Sequence, residues 1–427
     1  MKDIENYEIL LRKIFKKDFQ GIDTKKDVTN NIIRALNEKK DFFVFISNFK
    51  HRLSRLYAIY KNSPKNLKVI IERSIEIASK NNWQGAYAEL VAYDYLNSCK
   101  DLLANPISLD CTLKNDESYA IEMGQKQDSN LDCYVPDLNI YFDIKSLKDN
   151  NTEIFNRIVK NISTFYGLKN LHILKEYDND NLYFELQSHF CDLYNELKKV
   201  IWGVLESAVE QCQPETNAKV IPENFKMIMK KASVEQKKKV VHYIQSSKTK
   251  HFKSKCIKGL SYVIGFDRGI YYTESTYSPY KHAKDFSGSI FKYANKFLKK
   301  KPSILIFVTT PWYNNIITSL CESNKEFYRA CARRFFIQYK DVTYDKTKKN
   351  FIPDFNGEDS LYQISSHLSG IIFIEDNSKD EKRYNKTNLS SYIYLNPNSS
   401  NNLNIVSIDY LHSLDAKVFD NFKYDNY

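Results

Sequence analysis

The chain has 427 residues, 42% of them hydrophobic, with 31 Tyr and 26 Phe but only 11 Gly and 10 Pro. That composition excludes a disordered or collagen-like protein and leaves room for two or three domains. The net charge of +11 suits a polyanionic partner without naming one. The eight cysteines form no C-x-x-C pair, which argues against a disulfide framework or zinc knuckle and predicts a reducing, cytoplasmic setting. No apolar leader opens the chain and no window reads as a membrane span.

Residues 1–80 place apolar side chains at helical intervals, as in Ile4, Tyr7, Leu10, Leu11, Ile14 and Phe15, and again from Asp41 to Tyr60. A helical accessory or dimerisation region is expected there. Residues 81–149 change character. Asn82 can cap a helix running from Trp83 to about Leu96, and strand-like runs follow near 118–124, 131–135 and 140–147. Residues 150–256 return to helical periodicity, with Leu193, Leu197, Val200, Ile201, Val204 and Leu205. This expected helical insertion ends in Lys226–Lys258, which holds eleven lysines against the single acid Glu235. That segment reads equally as a phosphate-contacting surface or as a solvated helix face and loop.

Residues 257–427 look mixed. A hairpin is expected at Leu260–Phe266 and Gly269–Thr273, a helix at about 283–300, and a buried strand at Ser303–Thr310. A helix at about 322–338 and strands at Gly370–Ile374 and Ser391–Leu395 complete the pattern. The chain lacks H-E-x-x-H, G-x-S-x-G and the P-loop signature, so helical zinc pairs, a nucleophile elbow and P-loop NTPase chemistry are not expected.

The chemistry concentrates in Leu131–Ser146. Pro136-Asp137-Leu138-Asn139 is a turn signal between two alternating runs. Centring a hairpin there pairs Val135 with Ile140, Cys133 with Phe142 and Leu131 with Ile144 on one apolar face. The other face pairs Tyr134 with Tyr141 and Asp132 with Asp143, and Lys145 lies on that face two residues on. A slip of one residue would bury the charges, so the pattern specifies the register. Two carboxylates directly opposite repel one another. A hard divalent cation relieves that repulsion and prefers carboxylate oxygen. A nearby lysine can then hold an attacking water or neutralise charge on a phosphate.

An acid, a short hairpin and then Asp143-Ile144-Lys145 resembles the PD-(D/E)xK, or restriction-endonuclease-like, nuclease superfamily. The helix Trp83–Ala92 is similar to the one from which that family commonly adds a glutamate, here Glu89, with Gly85 and Ala92 as small neighbours on its face. Pro136-Asp137 spells the family's literal "PD", so Asp137 stands as the alternative to Asp132 as the ligand. Glu122 is a weaker candidate.

The resemblance implies an α/β (α+β) fold in which a mixed central sheet is flanked by helices. Residues 81–149 and 257–427 would supply the core and a C-terminal extension, with 1–80 and 150–256 as helical additions. It further implies a Mg2+-dependent endonuclease, with Mn2+ as a substitute, acting on DNA with RNA left open. Glu89, Asp132 and Asp143 would be the metal ligands and Lys145 the catalytic lysine. A restriction or phage-defence role, a homodimer or a partner subunit, and no membrane association are expected. A non-cleaving nucleic-acid-binding protein of the same fold is the alternative.

Overall fold

The computed structural model describes residues 2–22, 31–37, 42–78, 83–114, 128–147, 301–310, 325–338, 342–345, 350–353, 365–378 and 388–423, with short strands between 172 and 275 and single positions between 283 and 297. One unit comprises Met1–Lys148, Ser287–Asn315 and Ala332–Tyr427, and a second comprises Asp149–Phe286 and Ile316–Cys331. No helix among the described residues is long and apolar enough to cross a membrane.

The first unit opens with helices α1 (Lys2–Phe15), α2 (Asn31–Asn37), α3 (Phe43–Tyr60) and α4 (Pro64–Glu76). In α1 the buried Tyr7, Leu11 and Phe15 recur every fourth residue and form one stripe. In α3 the buried stripe is Phe45, Phe49, Leu53, Leu56 and Tyr60. Pro64 starts α4, where its fixed φ suits a first turn and its missing N–H costs nothing. Helix α5 (Trp83–Leu96) is buried on nearly every side, because α3 and α4 pack on it and it packs in turn on the sheet. The N-terminal helices therefore share one continuous core with α5 and the sheet.

Strands β1 (Ser108–Lys114), β2 (Asp128–Val135) and β3 (Ile140–Ser146) come next in the chain. They are followed by β4 (His172–Glu176), β5 (Glu215–Asn217), β6 (Ile228–Lys231), β7 (Leu260–Phe266), β8 (Gly269–Ser275) and β9 (Ser303–Thr309). Helix α6 (Lys325–Arg333) leads to β10 (Val342–Asp345), β11 (Asn350–Pro353), β12 (Gly370–Asp376) and β13 (Leu389–Leu395). Helix α7 (Ile405–Ser413) and β14 (Val418–Asp420) close the order.

The first unit is built on a seven-stranded mixed sheet in the order β1-β2-β3-β9-β12-β13-β14. The meander β1-β2-β3 is antiparallel, β9 lies parallel to β3, and β12 lies parallel to β9. Strands β9 and β12 are buried along their whole length, which is why they read as unbroken apolar runs. One face carries Phe142, Ile144, Ile304, Ile306, Ile372 and Ile374 into the core shared with the helices. On the other face Phe307 stacks on Phe373 with ring centroids 5.5 Å apart, and Tyr293 packs on Phe307 at 6.2 Å.

A buried ionic cluster ties the helices to β12. The Arg52 guanidinium donates to the Tyr87 hydroxyl at 3.0 Å, to Asp376 at 3.2 Å and to the Ser378 hydroxyl at 3.0 Å. Its Nε lies 3.5 Å from Asp94, whose carboxylate also accepts two hydrogen bonds from Arg55, at 2.9 and 2.6 Å. Arg52, Asp94 and Asp376 are all buried, so their charges are matched by one another and not by water.

Within the second unit, β4 to β8 form a five-stranded antiparallel sheet in the order β4-β7-β8-β6-β5. The expected hairpin at 260–273 is present as β7-β8, but it belongs to this sheet and not to the seven-stranded one. The helical expectation for 150–256 also differs, since the described stretches there are the strands β4, β5 and β6. Short runs such as Ile228–Lys231 take their conformation from distant partners, here β8, which local periodicity does not register. The apolar run Leu193–Leu205 and most of Lys226–Lys258 lie outside the described residues.

Candidate functional site

The hairpin expected from alternation is formed with the expected register. Val135 pairs with Ile140, Tyr134 with Tyr141 and Cys133 with Phe142. Pro136 starts a tight turn, and Asn139 closes it at φ 53°, a left-handed conformation that asparagine tolerates better than most residues. All six apolar residues of the hairpin, Leu131, Cys133, Val135, Ile140, Phe142 and Ile144, are buried.

Beyond Cys133–Phe142 the backbone ladder gives way to side chains. The Ile144 amide donates to the Asp132 carboxylate, and the Asp132 carbonyl accepts from the Tyr93 hydroxyl at 3.2 Å. The Asp132 carboxyl is thereby tied to the β3 backbone one residue past Asp143, which is fully buried. Lys145 Nζ stands 2.6 Å from Asp143 Oδ2 and 3.8 Å from Asp132 Oδ2, and it donates to the Ile144 carbonyl at 2.9 Å. The Tyr293 ring backs this ammonium, 5.6 Å from centroid to Nζ.

Helix α5 supplies Glu89. Its carboxylate accepts from Tyr93, one helical turn on, at 3.1 Å, and from Arg73 Nε on α4. A Cβ added at Gly85 would meet nothing within 4 Å, so open space borders that turn of the helix. The Arg73 guanidinium also reaches Asp110 at 3.2 Å and Glu76 at 3.0 Å. Asp110 sits in β1 between the pairs Leu109–Cys133 and Cys111–Leu131, which puts it across from Asp132. Its φ of 48° is a left-handed conformation unusual for a strand residue and one that stores strain.

The electrostatics follow from this crowding. Burial, then the neighbouring Asp143 and Glu89 charges, push the Asp132 carboxyl up to about 7. Burial raises Glu89 as well, against the lowering pull of Arg73. For Lys145, burial works against the charge, but Asp143 and Asp132 outweigh it and raise the ammonium above its ordinary range.

Glu89, Asp132, Asp143 and Lys145 are thus brought into one interacting group. Asp137 is elsewhere. It lies at the turn, where it accepts from the Asn105 amide at 2.9 Å and from its side chain at 2.5 Å. Those bonds hold its carboxyl below the usual range. The expected strand at 118–124, with Glu122, lies outside the described residues, and the first strand of the meander is β1. Sequence reading missed Asp110, although Leu109, Cys111 and Leu113 alternate with polar residues around it. It also missed Arg73 and Tyr293, which no motif marks.

Comparison with family models, with curated proteins and with solved structures returns no match.

Among the described residues no three His, Cys, Asp or Glu side chains converge closely enough to hold a metal ion as they stand. The carboxylates are instead turned onto internal cations, Glu89 onto Arg73 and Asp143 onto Lys145. Their chemistry nonetheless fits a hard divalent ion. The donors are all carboxylate oxygen, and they are crowded enough that Asp143 and Glu89 raise the proton affinity of Asp132.

Proposed function

We propose that this protein is a metal-dependent nuclease that hydrolyses phosphodiester bonds of DNA, with Glu89, Asp132 and Asp143 as the acidic ligands and Lys145 as the catalytic lysine. The observation that carries the reading is the pair Asp132 and Asp143, on adjacent strands and sharing one ammonium, with Glu89 close enough to act on Asp132. A scaffold has little reason to keep buried like charges together. The order of elements also supports it. A helix bearing Glu89, an antiparallel meander, the helical positions 290, 293 and 294 and a strand parallel to β3 come in that chain order, in keeping with the mixed sheet flanked by helices that the PD-(D/E)xK resemblance implies.

A bound Mg2+ ion supplies water activation and polarises the phosphodiester. Lys145, kept cationic by its two acids, can donate to a phosphate oxygen and offset charge building there. Tyr93 and the Ile144 amide orient Asp132, so that its carboxyl keeps one position. To serve as a ligand Glu89 must release Arg73, which retains Asp110 and Glu76 as partners. A restriction or phage-defence setting and a homodimer or partner subunit belong to the same proposal and rest on the resemblance alone.

The test is cleavage of supercoiled plasmid by the purified chain in Mg2+, Mn2+ or EDTA, beside Lys145→Ala and Asp143→Asn. Metal-dependent nicking is expected, falling by about 10²–10³-fold in each variant. Nucleic-acid binding without cleavage in any divalent metal would favour the non-cleaving alternative.

A further inference from the structure

The polar face of the hairpin continues past the acids into an aromatic row. The pairings run Ser108–Tyr134, Tyr134–Tyr141 and Tyr141–Ser303, so two tyrosines stand side by side with a serine in the strand on either side. Their rings stack, with centroids 4.4 Å apart and planes 26° apart. Both are only half-buried. The Tyr134 hydroxyl donates to Asn139 Oδ1 at 3.1 Å, a bond made at the ring's edge and not through its π-face. In those two flanking strands the residue paired with each tyrosine is therefore a small one. Tyr134 and Tyr141 each lie two residues from an acid on the same strand and face, a span of about 7 Å. That is within one nucleotide of Asp132 and Asp143.

We propose that Tyr134 and Tyr141 form a ledge that stacks an unpaired nucleobase next to the phosphate held at Asp132 and Asp143, a reading that rests on the nuclease function above. A cross-strand tyrosine pair stabilises a hairpin whatever its function. Two half-exposed rings beside a phosphate-handling site do more, because every base offers a π-face and stacking needs no sequence match. Bases inside a duplex stack on one another, so the base that reaches this ledge comes from a single strand, a frayed end or a flipped nucleotide.

The test is fluorescence-anisotropy binding by the full chain in EDTA, where no cleavage can intervene. The probes are a labelled single-stranded DNA oligonucleotide, an RNA of the same sequence and a DNA strand of the same length carrying abasic sugars. The wild type is expected to bind the base-bearing strand on the order of tenfold more tightly than the abasic one. Tyr134→Leu and Tyr141→Leu keep cross-strand bulk but lack a π-face, and they should lose that ratio. Tyr134→Phe and Tyr141→Phe should keep it. The DNA and RNA arms identify which strand supplies the base. Leu variants that melt like the wild type yet keep the ratio overturn the ledge, as does a wild type with no ratio. Failure of the nuclease reading shows separately, as absence of cleavage in Mg2+ while the base-dependent ratio persists.

Discussion

Asp132 is held in a crowded, buried setting at the site. Its proton is held far more tightly in the fold than in an unfolded chain, where a carboxyl titrates near its ordinary 3.8. Between that value and about 7 the unfolded chain has lost this proton and the folded one has not. Stability therefore falls as pH rises through that window. Asp132→Asn removes the titration. We expect its melting temperature without metal to exceed the wild type's at pH 7, with the gap closing as pH drops to about 4. Added Mg2+ should raise the melting temperature of the wild type but not of the variant, because only an ion that binds the folded chain stabilises it. A thermal melt across pH, with and without Mg2+, checks both. Arg73 makes a second prediction. It is the cation between Glu89 and Asp110, with its side chain 18% exposed. Arg73→Ala should cost about 1–3 kcal/mol in EDTA by leaving two carboxylates facing each other. Urea denaturation should show that loss shrinking in saturating Mg2+. An equal loss in both conditions would make Arg73 scaffold alone.

Among the elements, β12 is joined to α3 and α5 through a matched set of buried charges. Removing one member leaves another without a partner in a dry interior. Asp376→Ala should destabilise the first unit by about 3–5 kcal/mol, measured by chemical denaturation. Arg55→Ala removes a guanidinium that is 42% exposed and should cost less than about 1 kcal/mol, since Asp94 keeps Arg52. The same elements show what a sequence can reveal. The hairpin was legible because Leu131 to Ile144 alternate around a proline-bearing turn, so that only one register buries the apolar set. Strands β9 and β12 were legible as apolar runs. The candidate residues on the hairpin came with its register, and Glu89 came from the resemblance of its helix, with small neighbours on the same face. Arg73 was not legible, because its bond to Glu89 depends on how α4 packs on α5, and no spacing along the chain encodes that angle. Asp110 was hidden by its left-handed backbone, a local exception to the alternation that surrounds it. In the second unit the hairpin β7-β8 was legible, whereas β4 and β6 are short and pair with β7 and β8, which lie far on in sequence.

For the whole molecule, the net charge of +11 makes a prediction that no single residue makes. If phosphate contacts dominate, affinity for a single-stranded oligonucleotide in EDTA should fall linearly on a log–log plot against salt, and the slope reports how many phosphates are neutralised. A flat plot would mean that the basic excess plays no part in binding. The arrangement of the sheet has a consequence for how the chain acquires its activity during synthesis. Strand β3 ends at Ser146, yet the neighbour that completes its other edge, β9, begins only at Ser303. A ribosome-bound chain that has released all four proposed site residues still has β3 as an open edge, and Asp143 lacks the strand that flanks it in the finished sheet. Closing so long a loop slows the pairing and makes it the late event of folding. A truncated product that stops within the intervening segment carries every acid of the site but lacks the strand that flanks Asp143. For an enzyme proposed to cut nucleic acid, that late pairing links the onset of cleavage to completion of the polypeptide.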